Sequence, residues 1–132
     1  MTKQTAHAHT ASILIVEDAE MCSSTLEVAL SSINGHVVRI ASSAEAALRM
    51  IAERPASAVV TDLHLPGISG FELISRIRAT QFPQRPVIVV TSGDTDPETP
   101  HNVLKIGADA FFPKPYSPVE LRRTLERLIH VK

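Results

Sequence analysis

Short runs of apolar residues alternate along the chain with longer stretches whose apolar positions recur every three or four residues. SILIV (12–16) is a continuous β-rich run of the kind found in strands covered on both faces. Residues 19–33 carry Cys22, Leu26, Ala29, Leu30 and Ile33 on one helical stripe, stopped by Asn34-Gly35. On that stripe Cys22 is expected to be a buried core thiol. HVVRIA (36–41) predicts a second strand. Ser42, followed three residues later by Glu45, forms a capping-box pattern. Ala44, Ala47, Leu48 and Ile51 supply the buried face of the helix it opens, and Pro55 ends that segment. ASAVVTDL (56–63) predicts a third strand, Phe71, Ile74 and Ile77 a helix, and PVIVVTS (86–92) a fourth strand. Residues 97–106 read as a weakened helix. Proline is accepted at the first helical position but not in the interior, so this helix is expected to start near Thr99-Pro100 and to be short. ADAFF (108–112) is the fifth strand. Ser117, Pro118 and Glu120 open a last helix, with Leu121, Leu125, Leu128 and Ile129 on one face.

Five strands alternating with five helices predict an α/β fold: a doubly wound, five-stranded parallel sheet with helices on both faces. Residues 1–11 read as a flexible polar tail and 12–130 as the domain. His7 and His9 in that tail lack the scaffold a metal cage needs.

Composition narrows the classes further. A chain of 132 residues fits one domain, and 44% apolar content suffices for a core. Thirteen Lys+Arg against 14 Asp+Glu leave a net charge of −1, so no basic footprint for nucleic acid is expected. The longest apolar runs, ILIV at 13–16 and VIVV at 87–90, are too short to cross a bilayer. Residues 1–10 carry no signal-peptide core. A single cysteine excludes an internal disulfide, which fits a reducing cytoplasm.

In doubly wound sheets the ligand crevice lies beyond the carboxyl ends of the strands. There the first strand runs into Glu17-Asp18, the third ends in Asp62, the fourth in Thr91-Ser92, and the fifth leads to Lys114-Pro115. Clustered carboxylates repel unless a cation neutralises them. Oxygen ligands without Cys or His suit a hard cation, Mg²⁺ before Ca²⁺. Taken singly, each residue has a plainer reading: Asp62 as a helix cap, Glu17-Asp18 as solvated acids, Thr91 as a β-branched strand residue, Lys114 as a surface lysine. Their convergence favours a magnesium-assisted phosphoryl site.

These residues resemble the receiver domain of two-component response regulators, a flavodoxin-like fold. The resemblance rests on ILIVED (13–18), VVTDLHLPGISG (59–70), VIVVTSG (87–93) and FFPKP (111–115), in order and each at a strand end. It implies that Asp62 accepts a phosphoryl group from the phosphohistidine of a sensor histidine kinase or a histidine phosphotransfer protein. Glu17 and Asp18 would bind Mg²⁺ with Asp62 and the backbone carbonyl of His64, and Mn²⁺ could substitute. Thr91 would turn its hydroxyl toward the phosphoryl group, Lys114 would pair with a phosphoryl oxygen, and a cis peptide would join Lys114 to Pro115. Phe111 falls at the aromatic switch position, where it keeps the ring of the common Tyr but loses the hydroxyl. His64, unless it is a plain loop histidine, and Gly93 fall where the lifetime of the acyl phosphate is tuned; Gly93 has no side chain to orient a hydrolytic water.

The expected function is that of a single-domain, cytoplasmic phosphorelay protein, monomeric or weakly dimeric. It would turn over no separate substrate, bind neither nucleic acid nor membrane, and act through contact with an unknown downstream protein. A receiver segment of a longer response regulator or hybrid histidine kinase is the alternative. An aspartyl-phosphate phosphatase of the haloacid-dehalogenase type is remote, because those enzymes resemble a pattern with a second acid where His64 stands. A flavoprotein of the same fold would need a Ser/Thr/Gly-rich phosphate loop after the first strand, and none follows.

Overall fold

The computed structural model describes residues 11–131, so the predicted tail, with His7 and His9, lies outside the described residues except for Ala11. That residue belongs to the first strand, where its N–H donates to the Gly35 carbonyl at 3.2 Å. The elements are β1 (Ala11–Val16), α1 (Glu20–Leu30), β2 (His36–Ala41), α2 (Ala44–Glu53), β3 (Ala58–Asp62), α3 (Gly70–Ala79), β4 (Val87–Ser92), α4 (Thr99–Lys105), β5 (Ala110–Pro113) and α5 (Pro118–Val131). All strand pairs are parallel, in the order β2-β1-β3-β4-β5. The strand order reverses between β1 and β3, and their carboxyl ends flank the crevice expected at such a switch point.

The unbroken apolar runs of β1, β3 and β4 are explained by burial on both faces. Leu14, Val16, Val59, Ile88 and Val90 point to the side covered by Ala47 and Ile51 of α2, Leu73, Ile74 and Ile77 of α3, and Val103 of α4. Ile13, Ile15, Val60, Val87 and Val89 point to the other side, under Leu26 and Leu30 of α1 and Leu121 and Leu125 of α5. The alternation follows the two-residue period of a strand. At the amino edge, opposite the crevice, Arg78 ties three elements together. Its guanidinium donates to the carbonyls of Gly107 (2.9 Å) and Pro86 (2.8 Å) and to Asp109 Oδ2 (3.0 Å).

Two predicted details change. Cys22 is exposed, and Ser23 takes the buried place beside Leu26 and Leu30. Helical side chains lean toward the N-terminus, so in the first turn of α1 Cys22 leans off the core and into an open groove with Met21, Thr25, Pro115, Tyr116 and Pro118. The cap of α2 is Ser43 rather than Ser42: the Ser43 hydroxyl accepts from the Ala46 N–H at 3.1 Å. Glu45 therefore makes no capping box and instead accepts from the Ile68 N–H at 3.4 Å, in the loop after β3. Replacing Ser43 with alanine should lower stability by about 1 kcal/mol in urea unfolding, while Ser42→Ala should leave the midpoint unchanged.

Helix α4 begins at Thr99, as the prolines predict, with Pro100 in its first turn and only seven residues in all. The loop before it is held by its own acids. The Asp94 N–H donates to Ser92 Oγ, the Asp96 N–H to Asp94 Oδ1, and the Glu98 N–H to Asp96 Oδ1, all at 2.8–2.9 Å.

Candidate functional site

The site forms where β1, β3, β4 and β5 end together. Glu17 follows directly on β1, Asp62 is the last residue of β3, and Thr91 pairs in register with Asp62 from β4. Glu17, Asp62 and Thr91 are buried, because their strands are central and the helices close over them. Asp18 is exposed, yet Glu17, Asp18 and Asp62 each offer a carboxylate oxygen within 4.8 Å of the others.

Lys114 reaches this group from the far side of the sheet. Its backbone N–H donates to the Ser92 carbonyl at 2.8 Å, which fixes the turn after β5 against β4. A cis peptide joins it to Pro115, as expected. Its Nζ lies 3.3 Å from both Glu17 Oε1 and Asp62 Oδ2. Burial works against the ammonium, but the neighbouring Asp62 and Glu17 outweigh it, and the lysine pKa is raised above its ordinary value. Lys114 is therefore firmly cationic at neutral pH.

The remaining predicted residues surround this centre. The His64 N–H donates weakly to Asp62 Oδ1 at 3.4 Å, while its imidazole is largely exposed and points to Asp94, with Nε2 3.6 Å from Oδ2. Gly93 borders open space. Phe111 is half-buried against the core on the α2–α3–α4 side, one residue along β5 from the partner of Thr91.

Asp94 escapes the sequence reading. Its carboxylate accepts from the Asp96 N–H, against some desolvation, and from the Thr99 hydroxyl at 3.1 Å, which holds its pKa below the usual value. The signal was the alternation Asp94-x-Asp96-x-Glu98, since Asp commonly accepts from the backbone N–H two residues on.

Three carboxylates around one ammonium can hold a hard cation and an anion side by side. The donor set is oxygen only, and two of its three members are already neutralised in part by Lys114, so the residues present fit a divalent cation with free coordination positions.

A doubly wound sheet with this charge arrangement at its switch point has the charges to hold a divalent cation beside a phosphoryl group. Comparison with known proteins narrows the reading. Residues 13–126 match the family of response regulator receiver domains. The transcriptional regulatory protein AfsQ1 of Streptomyces coelicolor is 38% identical over 104 residues, covering 79% of this chain and 44% of AfsQ1. This chain spans about half or less of the length of the curated relatives it matches. Among solved structures, a response regulator from Chloroflexus aurantiacus superposes with a TM-score of 0.80 at 30% identity, covering 91% of this chain and 98% of that one. The receiver domain of the sensor histidine kinase PA1611 from Pseudomonas aeruginosa, described with magnesium in its active-site cleft, superposes with a TM-score of 0.79 at 28% identity, covering 91% and 98%. The chain belongs to the response regulator receiver family, the flavodoxin-like domain of two-component signalling. Membership implies a kinase or phosphotransfer partner. No helix among the described residues is long and apolar enough to cross a membrane.

Proposed function

We propose that Asp62 is the phosphoacceptor of this receiver, charged by the phosphohistidine of a sensor kinase or histidine phosphotransfer protein. The observation that carries the reading is the meeting of Glu17, Asp18 and Asp62 with Lys114 Nζ at one strand edge. A carboxylate attacks a phosphoryl group poorly because both are anionic. An Asp62 oxygen forms the new bond to phosphorus as the donor's P–N bond breaks, its electron pair leaving with the imidazole. Lys114, 3.3 Å from Asp62 Oδ2, stands where it can neutralise a phosphoryl oxygen.

Glu17, Asp18, Asp62 and the His64 carbonyl would hold Mg²⁺ (or Mn²⁺), which when bound supplies further charge neutralisation to the phosphoryl oxygens. Thr91, beside Asp62 in register, donates its hydroxyl to the phosphoryl group once it is present. Thr91 and Phe111, on adjacent strands, then carry the change toward α4 and β5. We assign residues 12–130 to the receiver, with Ala11 leading into its first strand, place it in the cytoplasm as a monomer or weak dimer, and leave its output to a protein partner.

Intact mass after incubation with acetyl phosphate tests the assignment. The wild type should gain one phosphoryl adduct that requires Mg²⁺ and does not form when a chelator is added beforehand, and Asp62→Asn should gain none. An adduct that persists in Asp62→Asn, or a wild type that accepts nothing from acetyl phosphate or a phosphohistidine donor, overturns it.

A further inference from the structure

A second concentration of charge lies at the amino edge of the sheet, at the opposite end of the strands from Asp62. Arg78, near the end of α3, and Arg85, just before β4, both reach Asp109: Arg78 Nη2 lies 3.0 Å from Oδ2 and Arg85 Nη1 3.2 Å from Oδ1. Oδ2 also accepts from the Ile88 N–H at 2.8 Å. One carboxylate thus serves two guanidiniums and a backbone amide, and the three side chains sum to a charge of +1. The Arg78 side chain is only 15% exposed. Burial, and then the nearby Arg85, push its pKa below the ordinary value against the pull of Asp109, yet a guanidinium stays charged at neutral pH. Of the five N–H groups an arginine carries, three of Arg78's meet Asp109 and the carbonyls of Gly107 and Pro86. The other two have no acceptor among the described residues.

These cations border a cavity of about 260 Å³ between α3 and β4, whose remaining wall includes Ile77, Phe82 and Pro86. Ile77 and Pro86 are buried and Phe82 packs on the core, so the apolar wall is set by the fold. The volume is small for a ligand pocket, below the roughly 300 Å³ at which such pockets begin. Positive charge beside a fixed apolar wall suits an anion with a small apolar body. A carboxylate matches the planar guanidinium fork, and the body displaces water from Ile77 and Phe82. A bare inorganic anion would leave the apolar wall wet, and a neutral ligand would leave the excess charge unanswered.

We propose that this cavity binds a small carboxylate with an apolar body, its charge held by Arg78 and Arg85 and its body against Ile77, Phe82 and Pro86. The site shares no residue with the Asp62 centre and stands whether or not Asp62 is the phosphoacceptor.

The test is a titration of the ¹⁵N-labelled full chain with sodium benzoate at constant ionic strength, read by amide chemical shifts. Benzamide, with the ring but no charge, and acetate, with the charge but no ring, are the controls. Benzoate should saturate the shifts of residues 77–88 and 107–109 with a dissociation constant of about 1 mM, as a probe of this size allows. Benzamide should bind about tenfold more weakly, the scale of a hydrogen bond between charged groups, and acetate should bind more weakly as well. Arg85→Gln, at an exposed side chain, should weaken benzoate about fivefold with its melting temperature unchanged. Benzamide as good as benzoate would leave an apolar pocket without a charge requirement. Acetate as good as benzoate would leave a surface ion pair. Either result, an Arg85→Gln variant that binds as wild type does, or benzoate that saturates other amides or none in the low millimolar range, overturns the proposal.

Discussion

Lys114→Ala is expected to slow phosphorylation of Asp62 by acetyl phosphate on the order of 10²–10³-fold, the cost of losing one preorganised donor to a developing anion. The ammonium sits 3.3 Å from Asp62 Oδ2 and from Glu17 Oε1, so its removal has two consequences. The phosphoryl oxygens lose a fixed positive partner, and the two buried carboxylates face each other without one. Raising Mg²⁺ should relieve the second effect but not the first, because a hydrated divalent ion cannot take the place of a group fixed by the chain. The fold should survive, since the backbone N–H of residue 114 still reaches the Ser92 carbonyl. Single-turnover kinetics over a magnesium series would check this. A rate within tenfold of wild type at saturating Mg²⁺ would reduce Lys114 to an electrostatic neutraliser of Glu17 and Asp62.

The second large effect is expected at Gly70, the first residue of α3. A methyl group there would lie 2.5 Å from the Asp62 carbonyl oxygen and 2.7 Å from Leu63 Cα, both backbone atoms that cannot swing aside. The Gly70 N–H also donates to the Leu63 carbonyl at 2.8 Å, so helix and strand end are already in tight contact. Gly70→Ala should cost about 2–3 kcal/mol in urea unfolding, as overpacking typically does. The backbone that must yield is that of Asp62 itself, so the phosphorylation rate should fall with the stability. Gly93→Ala is the matched control. A methyl group there meets nothing within 4 Å, and its unfolding midpoint should stay at the wild-type value.

The fold was legible because its signals are local. ILIV and VIVV are buried on both faces and so carry no alternation to misread, and Pro100 dictates where α4 begins whatever surrounds it. The main site residues were legible for a related reason: parallel strands all end at one edge, so acids and a lysine at strand ends must meet. What escaped depends on the third dimension. The stripe through Cys22 has sound helical geometry, but the helix alone does not show where the core beneath it stops. Ser42 and Ser43 are equally good caps by spacing, and only the path of the chain out of β2 selects the second. The contacts of Glu45 with the loop after β3, of Asp94 with His64, and of Arg78 with Asp109 join residues 23 to 31 positions apart. No periodicity within one element encodes such pairings.

The brevity of α4 limits what can be read from it. Seven residues span about 10 Å of helix, and His101, Asn102, Leu104 and Lys105 are what it presents to solvent. A stable protein complex needs roughly 800 Å² from each partner, some 20 to 30 residues. A protein that senses the position of α4 must therefore gain most of its contact area elsewhere, for instance around the exposed Val119 of α5. Movement of α4 then alters a minority of an interface formed largely without it. On the proposed function, the expected output is a graded change in affinity for a partner able to bind both states.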